Sequence, residues 1–212
     1  MVPLLLEKFA EEIKKKQLTL IHGDILHFQG HPLDSAPSKG IPWMGVDGTG
    51  YKLVANIPYY LTGQIIRMFL EAKIKPERMI LMVQKEVATR IVARDKKESI
   101  LSIAVKAYGA PRIIKKVPAR YFTPAPNVDS AILAIENISN KNFADKESEK
   151  KFFAIVRTGF AHKRKVLAGN LKEIFGDQTL PILKEVGIPE NARAENLSLE
   201  QWLAISKYQP YQ

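Results

Sequence analysis

Brief apolar runs punctuated by helical patterns constrain this chain more than any other feature. Lys52–Ala55, Met79–Val83 and Val128–Ile135 are short and rich in β-formers, while Gln64–Ala72 and Lys85–Ala93 repeat apolar residues at helical spacing. Strands alternating with helices predict an α/β sheet with parallel connections. Leu18–Ile21 reads as one more strand, followed by a turn at Gly23-Asp24, and Ile100–Ala107 suits either a strand or a helix. Ahead of them, Leu4, Leu5, Lys8, Phe9, Glu12 and Ile13 form a mixed stripe, so Met1–Gln17 reads as an amphipathic helix and not as a signal peptide. Gln29–Gly50, rich in Gly, Pro, Ser and Asp, reads as a long irregular loop. After Glu136 the polar run Asn137–Lys150 resembles a linker, and Phe152–Leu171, Leu180–Val186 and Leu199–Tyr208 read as helices. The expected organisation is an α/β domain over residues 1–140 and a small helical domain over 141–212.

Charge points to the class of partner. A formal net charge of +10 over 212 residues favours an anionic ligand, with nucleic acid first. The plainer alternative is a basic enzyme whose charge only aids solubility. With no cysteine, disulfides, thiolate metal sites and cysteine nucleophiles are excluded, which fits a reducing cytoplasm. No apolar run approaches the ~20 residues that cross a bilayer, so no membrane partner is expected. His27 and His31 have a helical metal-ligand spacing, but Gly30 and Pro32 flank His31 and deny it a helix face; no metal site is expected. Neither a Gly-x-Ser-x-Gly elbow nor a phosphate loop ending in Gly-Lys-Ser/Thr occurs.

The chemistry concentrates in Asn56-Ile57-Pro58-Tyr59, directly after an apolar strand. Ligands of open α/β sheets gather at the carboxyl ends of strands. Pro58 has no backbone donor and pushes Ile57 toward an extended conformation, so the turn can present carbonyls and the Asn56 amide together. Such a set suits methylation of an exocyclic base amine. The amide oxygen and a backbone carbonyl accept the two N–H bonds and favour the increasingly positive nitrogen as it attacks a methyl group. Tyr59 can stack on an extracted base. Taken alone, the tetrapeptide is as easily a turn that closes a strand. A second segment, Phe122-Thr123-Pro124-Ala125-Pro126-Asn127-Val128-Asp129-Ser130, stiffens an extended stretch and offers another aromatic wall.

In order, these blocks resemble the ribosomal RNA adenine dimethyltransferases: Asn-Ile-Pro-Tyr, Gln84-Lys85-Glu86-Val87 with Arg90, then Phe-x-Pro-x-Pro-x-Val-Asp-Ser. Phe160 with Lys163-Arg164-Lys165 and Leu171 extend the match, as do Arg193-Ala194-Glu195-Asn196-Leu197-Ser198 and Trp202. The resemblance implies transfer of methyl groups from S-adenosyl-L-methionine to adenine N6 in small-subunit ribosomal RNA of the assembling subunit, by a cytoplasmic monomer. Asn56 and Pro58 would hold the amine, Tyr59 would stack on the adenine, and Phe122 would oppose it. Asp24 and Ile25 would contact the donor's adenine ring, with Asn56 also near the donor, and Lys163, Arg164 and Lys165 would face RNA. A relative acting on large-subunit RNA or in transcription is the weaker alternative.

The same resemblance implies an incomplete Rossmann-like class I methyltransferase sheet with a small C-terminal helical domain. The family's Glu-x-Gly-x-Gly-x-Gly donor loop and the acidic residue ending its second strand do not occur here. Gly45-Val46-Asp47-Gly48-Thr49-Gly50 precedes a strand where that loop must follow one, so it reads as a flexible loop. In the family the first two strands lie between the third and fourth, which would leave Leu18–Ile21 without a ladder partner beside Lys52–Ala55. The expectations are a start codon placed too late, a gene fragment, or a shortened RNA-binding ribosome-assembly factor without catalysis, and poor donor binding by these 212 residues alone.

Overall fold

Backbone pairing gathers β1 (Lys52–Asn56), β2 (Arg78–Gln84), β3 (Ala110–Val117) and β4 (Ser130–Glu136) into one mixed sheet, ordered β1-β2-β4-β3. The computed structural model describes residues 2–27 and 51–209, and the chain divides into two compact units, Met1–Ile41 and Pro42–Gln212. The expected loop Gln29–Gly50, the Gly45–Gly50 segment and His31 lie outside the described residues.

In the first unit the expected single helix is two, α1 (Val2–Lys8) and α2 (Ala10–Lys14), and neither buries a residue. Phe9 breaks them with φ −110° and ψ 22°. Leu18–Ile21 is not a strand, contrary to its composition. β-propensity records fit to a pleated, half-buried surface; among the described residues no ladder includes this run, and Leu18 and Ile21 are exposed. A 3-10 turn over Ile25–His27 follows.

In the second unit β2 alternates cleanly, burying Met79, Leu81 and Val83. Among the described strands β1 and β2 form the parallel ladder, Lys52 opposite Arg78 and Asn56 opposite Met82. They are joined through α3 (Thr62–Leu70), whose buried Ile65, Ile66, Phe69 and Leu70 share one face. β4 runs antiparallel to both neighbours, a direction that the sequence pattern alone left open. No α-helix intervenes between β3 and β4, and a parallel return needs a crossover of a dozen or more residues, usually helical. β3 went unanticipated. It is an edge strand with Pro111 near its start and a bulge between Ile113 and Lys115 that spoils its alternation.

Between β2 and β3 run α4 (Lys85–Ile91) and α5 (Ile100–Tyr108), which settles Ile100–Ala107 as helix. Ser99 decides it: its hydroxyl accepts from Ser102 N–H at 3.1 Å while Ser102 Oγ accepts from Ser99 N–H at 2.6 Å. Gly109 ends the helix where a Cβ would stand 2.8 Å from the Glu136 carbonyl oxygen.

The tail forms α6 (Lys146–Gly159), α7 (Leu167–Phe175), α8 (Thr179–Glu185) and α9 (Leu199–Ile205). The expected helix Phe152–Leu171 is therefore broken, and Lys163–Lys165 lie in the turn between α6 and α7, not on a helix. Asn170 holds that break: its Nδ2 donates to the carbonyls of Gly159 at 2.6 Å and His162 at 3.2 Å. Trp202, Phe152, Val156 and Leu171 form one apolar cluster with Ile103 and Ala107 of α5. Each such fully buried large side chain contributes about 1.5–3 kcal/mol. The Tyr108 hydroxyl donates to the buried Glu149 carboxylate, which also pairs with Lys146 at 3.1 Å. Burial and that bond push the Tyr108 phenol far above its ordinary range.

Candidate active site

Three strands finish, and one begins, at the same end of the sheet. Asn56 ends β1, Gln84 ends β2 opposite Ser130, and Val117 ends β3 opposite the same Ser130, which opens β4. That end therefore gathers Asn56-Ile57-Pro58-Tyr59 and the Phe122–Ser130 segment.

The first loop is anchored through Ile57, which is buried, while Asn56 and Pro58 stay exposed. Pro58 has φ −58° and ψ 134° and opens a 3-10 turn, Tyr59–Leu61, closed by Leu61 N–H donating to the Pro58 carbonyl at 3.0 Å. That carbonyl keeps one lone pair for another donor. Thr62 Oγ1 donates to the Tyr59 carbonyl at 2.9 Å and fixes the start of α3. The half-buried Tyr59 reaches Ser130, its hydroxyl 2.7 Å from Ser130 Oγ. This bond joins two segments 71 residues apart in sequence.

Asp129 secures the other side. Its carbonyl accepts from Lys85 N–H at 2.9 Å, Oδ1 accepts from Ala119 N–H at 3.1 Å, and Oδ2 stands 3.6 Å from Lys85 Nζ. The start of α4, the 3-10 turn Ala119–Tyr121 and the head of β4 thus meet at one carboxylate. Phe122 follows that turn, half-buried, with its N–H on the Ala119 carbonyl at 3.1 Å. Sequence reasoning put Tyr59 and Phe122 at one mouth, and the topology does bring their segments to one end of the sheet. The described residues contain no ring contact between the two side chains. Ser130 and Asp129 carried no expected role, although both stand in the quoted motif.

Asp24 and Ile25 belong to the first unit. Asp24 Oδ1 accepts from Leu26 N–H at 2.9 Å, which starts the short turn, and Ile25 is 41% exposed. A carboxylate beside an exposed apolar side chain fits the edge and face of a purine. Among the described residues no group of three or more His, Cys, Asp or Glu could hold a metal ion. No described helix is long and apolar enough to cross a membrane.

A cleft of about 690 Å³ opens beside the site, lined by Lys85, Arg90, Lys97, Glu98 and, from the tail, Lys163 and Glu195. Lys97 pairs with Glu195 at 3.3 Å and Lys106 pairs with Glu98, so both carboxylates are neutralised. Among the described residues no ion pair engages Arg90 or Lys163, nor Glu86 and Asp95 of the same lining, so the cleft carries charges of both signs. Of the three expected RNA-facing residues, Lys163 lines it; Arg164 and Lys165 are exposed on the same turn.

The family model for ribosomal RNA adenine dimethylase matches residues 1–210. The chain belongs to the ribosomal RNA adenine dimethylase family. Ribosomal RNA small subunit methyltransferase A of Dehalococcoides mccartyi strain CBDB1 is 40% identical over 202 residues, 93% of this chain and 65% of that protein. The protein of the same name from Desulfitobacterium hafniense strain Y51 is 35% identical over 207 residues, 94% of this chain and 73% of its own length. The chain thus spans 65% of the length of the Dehalococcoides relatives it matches. Among solved structures, the 23S rRNA methyltransferase ErmE superposes with a TM-score of 0.69 at 20% identity, covering 97% of this chain and 78% of that one. A dimethyladenosine transferase from Plasmodium falciparum gives 0.62 at 22% identity, covering 76% and 68%. Both show the α/β methyltransferase fold. The sheet of this chain, with β4 inserted antiparallel between β2 and β3, is consistent with that architecture.

Proposed function

We propose that this chain forms the substrate side of an enzyme that dimethylates adenine N6 in small-subunit ribosomal RNA, with S-adenosyl-L-methionine as donor. The observation that carries the reading is the Tyr59–Ser130 bond, which locks the Asn-Ile-Pro-Tyr loop against the Val-Asp-Ser segment at the ligand-binding end of the sheet. The donor supplies an electrophilic methyl group, and its adenine end is assigned to Asp24 and Ile25. The exposed Asn56 amide oxygen and the Pro58 carbonyl accept the two N–H bonds of the target amine. They stabilise positive charge as it grows on that nitrogen, and no strong base is needed because the methylated ammonium releases its proton readily. Tyr59 offers its ring to the adenine, with its hydroxyl already committed to Ser130, and Phe122 closes the opposite side. Lys163, Arg164 and Lys165, with Arg90, meet the phosphates. The division into a catalytic part over 1–140 and a helical part over 141–212, the monomeric state and the cytoplasmic location belong to the same proposal.

Nucleoside mass spectrometry of small-subunit RNA, from source cells carrying Asn56→Ala at this locus, tests it. One lost transition-state hydrogen-bond acceptor should cut turnover about 10²-fold or more, leaving little N6,N6-dimethyladenosine. Undiminished dimethyladenosine in that strain would remove Asn56 from the reaction.

A further inference from the structure

We propose that Tyr60 and Tyr121 are an outer pair of stacking surfaces that hold the bases flanking the target adenosine. The inference rests on the RNA reading above and deepens it. Its basis is a likeness between two turns far apart in sequence. Pro58 and Pro118 open them with nearly the same backbone, φ −58° and ψ 134° against φ −59° and ψ 143°. Each is a 3-10 turn closed onto its proline, by Leu61 N–H at 3.0 Å and Tyr121 N–H at 3.1 Å. Each has two consecutive aromatic residues, one half-buried and one turned to water: Tyr59 beside Tyr60 within the first turn, and Tyr121 at the end of the second beside Phe122, which follows it. The outer members are 85% and 69% exposed. Both turns leave the sheet at the end where Ser130 faces the termini of β2 and β3.

A single exposed tyrosine is ordinary and needs no explanation. Two of them, each on a proline-stiffened turn next to an aromatic of the site, present ring faces from backbone that is already fixed. The surroundings indicate the occupant. The Arg120 guanidinium lies 5.4 Å from the centre of the Tyr121 ring. The bulge at Ile114 leaves Lys115 and Lys116 both exposed along β3. No described carboxylate pairs with any of these three cations. A cationic strip leading to a flat ring suits a single-stranded nucleotide, whose phosphate meets the cations while its base covers the ring.

Fluorescence anisotropy with a labelled single-stranded RNA containing two adjacent adenosines, over a salt series, reads the effect. Stacking of ~1–3 kcal/mol per base predicts that Tyr60→Ala and Tyr121→Ala each raise Kd about 5- to 150-fold with the salt slope unchanged. Phe variants should bind like the unaltered chain, and Leu variants, which keep apolar bulk without a flat face, should bind like Ala. Lys115→Ala should instead flatten the salt dependence. With 2-aminopurine beside the target, its quenching on binding should be lost in the Ala variants. Ala variants that bind within twofold of the unaltered chain would overturn the stacking role and leave the proposed reaction standing. An unaltered chain that does not bind single-stranded RNA even at low salt would overturn both.

Discussion

Removing one oxygen from Tyr59 separates two uses of the same side chain. Tyr59→Phe keeps the ring and deletes the bond to Ser130 Oγ at 2.7 Å. Ser130 is fully buried, and among the described residues its hydroxyl has no second hydrogen-bond partner. A neutral hydrogen bond contributes about 0.5–1.5 kcal/mol net, and stranding the buried partner adds to the loss, so the variant should lose ~1–2 kcal/mol. Ser130→Ala should lose a similar amount. In a double-mutant cycle the pair should show ~1 kcal/mol of coupling, because the second change finds the bond already broken. Urea unfolding of the four proteins measures this, and Tm should fall by ~2–4 °C per kcal/mol for a chain of this size. Coupling below ~0.3 kcal/mol would mean that the bond does not hold the two segments together, and the structural argument for one composite site would fail with it.

Two further outcomes follow from the packing and the charges. A Cβ on Gly159 would sit 2.3 Å from Cη2 of the fully buried Trp202, so Gly159→Ala should destabilise by about 1–3 kcal/mol through overpacking; a melting curve that matches the unaltered chain would contradict that contact. Glu136 accepts from Arg112 Nε at 2.6 Å and lies 3.2 Å from Arg78 Nε, and the Arg112 hydrogen bond, with both guanidinium charges, holds its carboxyl below the usual range. Because the unfolded chain then takes up that proton at higher pH, this contribution is present at neutral pH and is lost as pH falls through the folded-state value. Glu136→Gln should flatten the acid limb of Tm against pH at low salt; an unchanged limb would show that the cluster is screened to nothing.

Local chemistry was legible and long-range closure was not. Asn56-Ile57-Pro58-Tyr59 announced itself because proline fixes its own neighbourhood and because an apolar strand stands before it. The hydroxyl of Tyr59 on Ser130, and the three uses of Asp129, depend on which strand ends become neighbours, and that follows only from the order β1-β2-β4-β3. Leu18–Ile21 misled for the same reason in reverse: its residues prefer a pleat, but preference needs a neighbouring ladder. β3 was hidden by Pro111 and by consecutive exposed residues at its bulge, both tolerated on an edge strand. Lys163–Lys165 looked helical because the apolar period runs on from Phe152 to Leu171. Gly159 was the available signal of a break, and Asn170 completes it by taking the carbonyls that the ended helix leaves free.

The division of labour at the strand ends follows from where each aromatic spends its polar edge. Tyr59 commits its hydroxyl inward, so its ring can serve a base only along a face whose angle the Ser130 bond has set. Phe122 has no polar edge to commit and is held instead by its backbone, through Ala119 and thus through Asp129. The inner pair is therefore positioned by two anchors on consecutive residues, a hydroxyl bond to Ser130 and a carboxylate hub at Asp129. Breaking either should misplace one wall of the proposed base site. The outer tyrosines have no such hydrogen-bonded anchors, only the proline turns and, for Tyr121, the Arg120 guanidinium over its ring, a looser hold that would suit the proposed flanking bases, gripped during binding and released afterwards.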